Sequence, residues 1–269
     1  MPTNKGQGSP QALERPRSKR VDFLGLGFDT LGTDEVLARL DAAAPGSGFR
    51  YLVTPNVDHM VRLAELDPVE SELWKAYRSA SLCVCDSRIL SVLARMRGIR
   101  LPVAPGSDVT AALFASGIKP GDTIAIVGGN AATVAKLSLA YPGVNFVQHQ
   151  PPMDLLHDPK AMAAASDFIR KARARLTFLA VGSPQQELVA YMTWKLGGAV
   201  GFGLCVGAAI EFVVGTQKRA PRLMQKLSLE WAHRLLSDPK RLWRRYLVEG
   251  PRIFLIAARW RRSSHGRNL

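Results

Sequence analysis

The 269-residue chain reads as an α/β protein, a mostly parallel, Rossmann-like sheet flanked by helices, followed by an all-helical basic C-terminal appendage. Three observations carry this expectation. Apolar runs of strand length alternate with helix-length segments through most of the chain, the pattern of a parallel sheet. Several of these runs stop abruptly at polar or glycine residues, as parallel strands do where their carboxyl ends face a ligand crevice. Past Gly215 the alternation gives way to helical segments, and Gly215 to Leu269 holds 14 Lys and Arg against 3 Asp and Glu, so +11 of the total net charge of +14 lies there.

Residues 1–20 are polar and basic without an apolar h-region, and they read as a disordered arm rather than a secretory signal. The body, residues 21–214, then carries a net charge of only −1. Tyr51 to Val53 is the first named strand, followed by a helix from Asn56. Leu82 to Cys85 is the next, with a helix from Ser87, and Thr123 to Val127 leads into a helix from Ala131. Val144 to Val147 precedes a helix from about Lys160, and Leu176 to Val181 precedes one near Pro184. Residues 215–269 form the appendage, in which Asp238-Pro239 reads as an N-cap with the first helical residue and Gly250-Pro251 as a break before the last helix.

No window approaches the roughly 20 apolar residues of a membrane-spanning helix, so cytoplasmic residence is the default expectation. Cys83, Cys85 and Cys205 cannot all pair, and Cys83 and Cys85 alternate with Leu82 and Val84, as core thiols would. The five histidines lack the spacing of a helical metal site, so no metal and no cofactor are assigned.

Four strand-end junctions, Thr54-Pro55-Asn56, Asp86-Ser87, Gly128-Gly129-Asn130 and Gly182-Ser183-Pro184, are expected to converge on one crevice. Asp86 ends an apolar strand, where such surroundings can raise a carboxylate's pKa and make it a general base. Helix capping explains an Asp there as well. Thr54 and Asn56 offer a hydroxyl and an amide to an oxygen-rich ligand, and turn chemistry accounts for them equally. Gly128 and Gly129 resemble a phosphate-approach loop ahead of a helix N-terminus, without the full dinucleotide fingerprint and without the Lys of a P-loop. Gln186 and Glu187 could read the edges of a uracil or a sugar, or simply suit the first turn of a helix. Glu211, among apolar neighbours, must face a polar partner or solvent. Arg234, Arg241 and Arg244 in the appendage suit a diphosphate, although Pro239 interrupts their helical ladder.

These motifs, together with Gly106-Ser107-Asp108 and the long Lys218-Arg219-Ala220-Pro221, Leu229-Glu230-Trp231, Arg234-Leu235, Asp238-Pro239, Arg241 and Arg244-Arg245-Tyr246 series, resemble the WecG/TagA/CpsF glycosyltransferases in order from about Val21 to Leu247. The resemblance implies an inverting, metal-independent transfer of N-acetylmannosamine or a related hexose. The donor would be a UDP-sugar and the acceptor a lipid-diphosphate-linked sugar, in cell-surface polysaccharide biosynthesis at the inner membrane face. It implies that Asp86 is the base beside Thr54 and Asn56, that Gln186 contacts the nucleotide-sugar, and that Arg234, Arg241 and Arg244 reach the active site. Three positions depart from the family pattern: Ser87 stands for the usual Gly, Val103 for an Arg, and Ile210-Glu211 for Phe-Asp.

The appendage's cations interleaved with Trp243, Phe254 and Trp260 suit an anionic membrane surface. A nucleic-acid partner is the competing anion for such a tail, and the crevice, with a base and no diphosphate-neutralising charge of its own, turns the reading away from it. A non-catalytic nucleotide-sugar or lipid-binding module is the alternative from another class, and a homo-oligomer is compatible with the sequence.

Overall fold

The computed structural model describes residues 19–42, 46–215, 232, 235, 236 and 239–261, and the basic arm before Lys19 lies outside them. The chain enters through a hairpin of β1 (Arg20–Phe23) and β2 (Leu26–Asp29), closed by Leu24 and Gly25, both at positive φ as a tight hairpin turn requires. There follow α1 (Thr33–Asp41), β3 (Arg50–Val53), α2 (Val57–Ala64), α3 (Glu72–Ser79), β4 (Leu82–Cys83), α4 (Arg88–Met96) and α5 (Gly106–Ala112). The second half holds β5 (Thr123–Gly128), α6 (Ala131–Ala140), β6 (Asn145–His149), α7 (Pro159–Ala172), β7 (Leu176–Ala180), α8 (Gln185–Leu196), β8 (Phe202–Cys205) and α9 (Ala209–Val213). In the appendage, α10 (Pro239–Trp243) runs into a π-turn segment, Arg244–Glu249, and α11 (Arg252–Arg259) closes the described chain.

Six parallel strands form one sheet in the order β4-β3-β8-β7-β5-β6. Strict alternation sorts their side chains into two layers. Tyr51, Val53, Cys83, Val127, Leu179 and Cys205 face α2, α3, α4, α7 and α8, whereas Leu52, Leu82, Ile126, Phe178 and Leu204 face α1, α5, α6 and α9. All three cysteines are buried free thiols in these layers.

Two elements escape the sequence pattern. The central strand β8 is only four residues, Phe-Gly-Leu-Cys, and its glycine dilutes the apolar signal even though all four residues are buried. The hairpin is short and polar on one side, but it has a definite task at the β4 edge. Asp29 Oδ2 accepts the Cys83 backbone N–H at 2.7 Å, and Arg20 Nε donates to the same carboxylate at 3.2 Å. A side chain thereby satisfies an edge-strand donor that would otherwise invite another strand.

The start of α11 at Arg252, after Gly250-Pro251, and of α10 at Pro239 agree with the breaks read from sequence. Helix α11 is docked on the body: Ile253 and Ala257 are buried in the first layer, and Trp260 meets Phe23 edge-on at 5.4 Å. Arg97, beyond α4, donates to the carbonyl oxygens of Ala257 at 2.7 Å and Ala258 at 2.8 Å, and Arg252 pairs with Glu65. Backbone acceptors at the helix C-terminus thus receive a cation, as the macrodipole favours.

Candidate active site

The exits of β3, β4, β5 and β7 lie along one edge of the sheet, as the four junctions predict, and β8 inserts its own exit, Val206-Gly207, at their centre. Its outgoing helix α9 turns onto one face of the sheet, while the exits of its neighbours β3 and β7 turn onto the other through α2 and α8. Such a reversal opens a crevice at the carboxyl ends of the strands. The N-termini of α2, α4, α6 and α8 all point to it, a favourable setting for a diphosphate. From β4 to β5 is four strand spacings, about 19 Å, so Asp86 and the Gly128-Gly129 loop must hold different parts of a ligand or different ligands.

Asp86 is half-buried at the mouth, and its backbone N–H donates to Pro55 O at 3.0 Å. The helix it precedes is capped by Ser87, whose Oγ accepts the Leu90 N–H at 3.2 Å. The N-cap position of this helix thus belongs to Ser87 and not to Asp86. Asn56 does serve as a cap, its Oδ1 accepting from Asp58 N at 3.1 Å and His59 N at 3.4 Å, so the turn reading accounts for its amide oxygen. Thr54 is buried and donates through Oγ1 to Cys205 O at 3.2 Å, tying the β3 exit to the β8 exit. Gly106 opens α5 against both: a Cβ there would stand 3.1 Å from Thr54 Oγ1 and 3.1 Å from Val206 Cγ1.

At the other end of the crevice Gly128 and Gly129 both adopt positive φ, 85° and 71°. A Cβ on Gly128 would lie 2.7 Å from Val181 Cγ1 and 3.0 Å from the Ala180 backbone, so the tight approach of β5 to the β7 exit demands glycine. Gln148 Nε2 donates to Gly128 O at 2.9 Å and Gln150 Nε2 to Gly129 O at 3.2 Å, so two amides from the β6 end hold the loop. The sequence reading passed over both, and the signal was a polar Gln-His-Gln exit after an apolar run.

Gln186 and Glu187 sit at the start of α8 below the crevice floor. Gln186 is 3% exposed, accepts the Gly207 N–H at 2.9 Å and donates to Glu187 Oε1 at 2.8 Å. Glu187 is 0% exposed, which does not fit the direct ligand contact expected of it, and its Oε2 is buried without a hydrogen bond of ordinary geometry. Burial pushes its pKa up, and the amide of Gln186 and the hydroxyls of Ser183 and Tyr77 oppose that shift. Burial likewise raises the Tyr77 hydroxyl, the Cys83 and Cys205 thiols, and Cys85, the last to about 12. These thiols are inert core groups rather than nucleophiles.

Glu211 is half-buried in α9, next to Ile210, which packs over Gly129. Arg244 is largely exposed and pairs with Glu249 at 3.4 Å. Arg234 and the side chain of Arg241 lie outside the described residues. Among the described residues no group of three His, Cys, Asp or Glu side chains could hold a metal ion, and no helix is long and apolar enough to cross a membrane.

The profile of the glycosyl transferase WecG/TagA/CpsF family matches residues 21–267, nearly the whole chain. The chain belongs to this family. Membership makes it a glycosyltransferase of cell-surface polysaccharide biosynthesis and agrees with a crevice that offers a carboxylate at one end and a double-glycine loop at the other.

Proposed function

We propose that this glycosyltransferase moves a hexose, of N-acetylmannosamine type or a close relative, from a UDP donor to a sugar carried on a polyprenyl diphosphate, with inversion and without a resident metal. The observation that carries the reading is the place of Asp86: its main chain is held by Pro55 at the crevice mouth, one residue before Ser87, which stands at the N-cap of α4. The Asp86 carboxylate takes the proton of the acceptor hydroxyl as that oxygen attacks the anomeric carbon from the side opposite the nucleotide. The new glycosidic C–O bond forms as the bond to UDP breaks, and UDP leaves with its charge on the diphosphate. The helix N-termini that point to the crevice support the diphosphate, and the Gly128-Gly129 loop, farther along the sheet edge, holds the nucleotide end of UDP. Arg234, Arg241 and Arg244 complete the neutralisation from the appendage, which acts as a lid.

Trp243, Leu247, Val248, Phe254 and Leu255 are each more than half exposed, with Lys240, Arg244, Arg252, Arg259 and Arg261 exposed beside them. Apolar and cationic groups at one surface support contact with the anionic inner face of the membrane. Liposome flotation beside a duplex-binding assay separates this from nucleic-acid binding, since the membrane reading requires retention on anionic vesicles and no salt-steep duplex binding.

The test is product analysis with a panel of UDP-sugars and a short-chain lipid-diphosphate acceptor in the presence of chelator, with the anomeric configuration read by NMR. Product of inverted configuration is expected. Binding of UDP-sugar with no product across the acceptor panel would replace this reading with a non-catalytic binding module. Deleting residues 215–269 is expected to abolish turnover even on a water-soluble acceptor, and full turnover would reduce the segment to an anchor.

A further inference from the structure

The buried pair Gln186–Glu187 has a second connection that bears on the crevice. Gln186 Oε1 holds the N–H of Gly207, and Gly207 belongs to the exit of β8, the wall between the Asp86 end and the Gly128 end. On its other side the same exit is held by Thr54, which donates to Cys205 O. A side-chain amide has two ends of nearly equal shape, and either could face Gly207. Only one orientation is correct, because Gly207 offers a donor and needs the oxygen. Glu187 decides it: its Oε1 accepts from Gln186 Nε2 at 2.8 Å and so turns the nitrogen away from Gly207.

The Glu187 carboxyl is 0% exposed, among the described residues no cation within salt-bridge distance pairs with it, and its Oε2 has only the Ser183 and Tyr77 hydroxyls nearby, with no hydrogen bond of ordinary geometry. Arg62 stops one hydroxyl short, donating to Ser183 Oγ at 3.0 Å and pairing with Asp58 at 3.2 Å. A buried carboxyl with no cationic partner is costly, and its retention calls for a task that a packed apolar residue could not perform.

We propose that Glu187 is a positioning residue, which through the Gln186 amide fixes the Gly207 loop in the conformation that shapes the reacting end of the crevice. The inference rests on the glycosyl-transfer reading for its catalytic consequence but not for its structural one. Glu187 itself touches no substrate. The loop is tied directly to Thr54 through Cys205, and reaches Gly129 only through Ile210 of the following helix, so its loss acts on turnover before UDP binding.

The experiment compares Glu187→Leu, which removes the acceptor, with Glu187→Gln, which keeps an oxygen for Gln186 Nε2. Loss of one buried acceptor leads us to expect about tenfold faster hydrogen exchange at the Gly207 amide in Glu187→Leu, about tenfold lower kcat, and an unchanged UDP dissociation constant. Amides of β5 should exchange as in the parent protein. Glu187→Gln should restore both exchange protection and turnover. If Glu187→Leu does not fold, Glu187→Asp, whose carboxylate is withdrawn by one methylene, is expected to show the same pair of losses. Unchanged Gly207 exchange, equal losses in the Gln and Leu variants, or a loosened Gly207 with undiminished kcat would each overturn the proposal. Absence of turnover in the parent protein with the exchange pattern as expected would instead sink the glycosyl-transfer reading and leave the positioning role standing.

Discussion

The backbone N–H of Asp86 donates to the carbonyl oxygen of Pro55 at 3.0 Å, which joins the exits of two adjacent parallel strands at the mouth of the crevice. The bond holds the Asp86 main chain beside the segment that carries Thr54 and Asn56, while Ser87 caps the following helix. The proposed base and the helix cap are thus neighbouring residues. Asp86→Asn should lower kcat by about 10²- to 10⁴-fold with little change in melting temperature. Ser87→Ala should cost about 1 kcal/mol of stability. Steady-state kinetics and thermal unfolding on the two variants check the division, and a stability loss in Asp86→Asn equal to that of Ser87→Ala would refute it.

Gly128→Ala should destabilise the protein by about 1–3 kcal/mol, because alanine is strained at positive φ and its Cβ meets the backbone of Ala180. The carbonyls that Gln148 and Gln150 hold would shift with the loop, so UDP affinity is expected to fall as well. Calorimetric titration with UDP measures it.

The two faces of α11 should separate under mutation. Ile253 is buried, and Ile253→Ala is expected to cost about 3 kcal/mol. Phe254 and Leu255 are exposed, so changing both to Ser should leave stability within about 0.5 kcal/mol. The same double change should release the protein from anionic vesicles, as sedimentation with liposomes would show.

Glu187 sets a pH dependence of definite sign. Burial raises its folded-state pKa above the unfolded value, so the protein loses stability as pH rises from the unfolded pKa to the folded one. Tyr77 from α3 and Cys205 from β8 face it and are themselves raised by burial, so neither titrates in that window. Replacing Glu187 by Gln removes the loss. The melting temperature of Glu187→Gln relative to the parent should therefore be more favourable near pH 7 than near pH 4, about the ordinary carboxylate value.

Much of this protein was legible from residue order alone. The continuous apolar runs Tyr51 to Val53 and Ile124 to Val127 announce strands buried on both faces, because such strands need apolar groups on either side. Strand exits at Thr54, Asp86, Gly128 and Gly182 followed from the abrupt change to polar or glycine residues, and Pro239 and Pro251 marked helix starts through their fixed φ. The strand β8 was not legible, since Gly201, Gly203 and Gly207 break up its apolar signal.

Sequence by itself determined the chemistry on offer: which carboxylates, amides and glycines stand at strand ends, and that positive charge gathers after Gly215. Tertiary structure decided how those groups are used. Asp86 and Asn56 look alike as polar residues before a helix, yet Asn56 caps α2 and Asp86 does not cap α4, because Ser87 stands at the position whose side chain reaches the exposed N–H groups. Gln186 and Glu187 look alike as first-turn residues open to a ligand, yet α3 and α8 close over Glu187 and Gly207 takes the amide oxygen of Gln186. A hydrogen bond depends on distance and direction between residues far apart in the chain, and only the packed sheet brings residue 186 to residue 207 and residue 54 to residue 205.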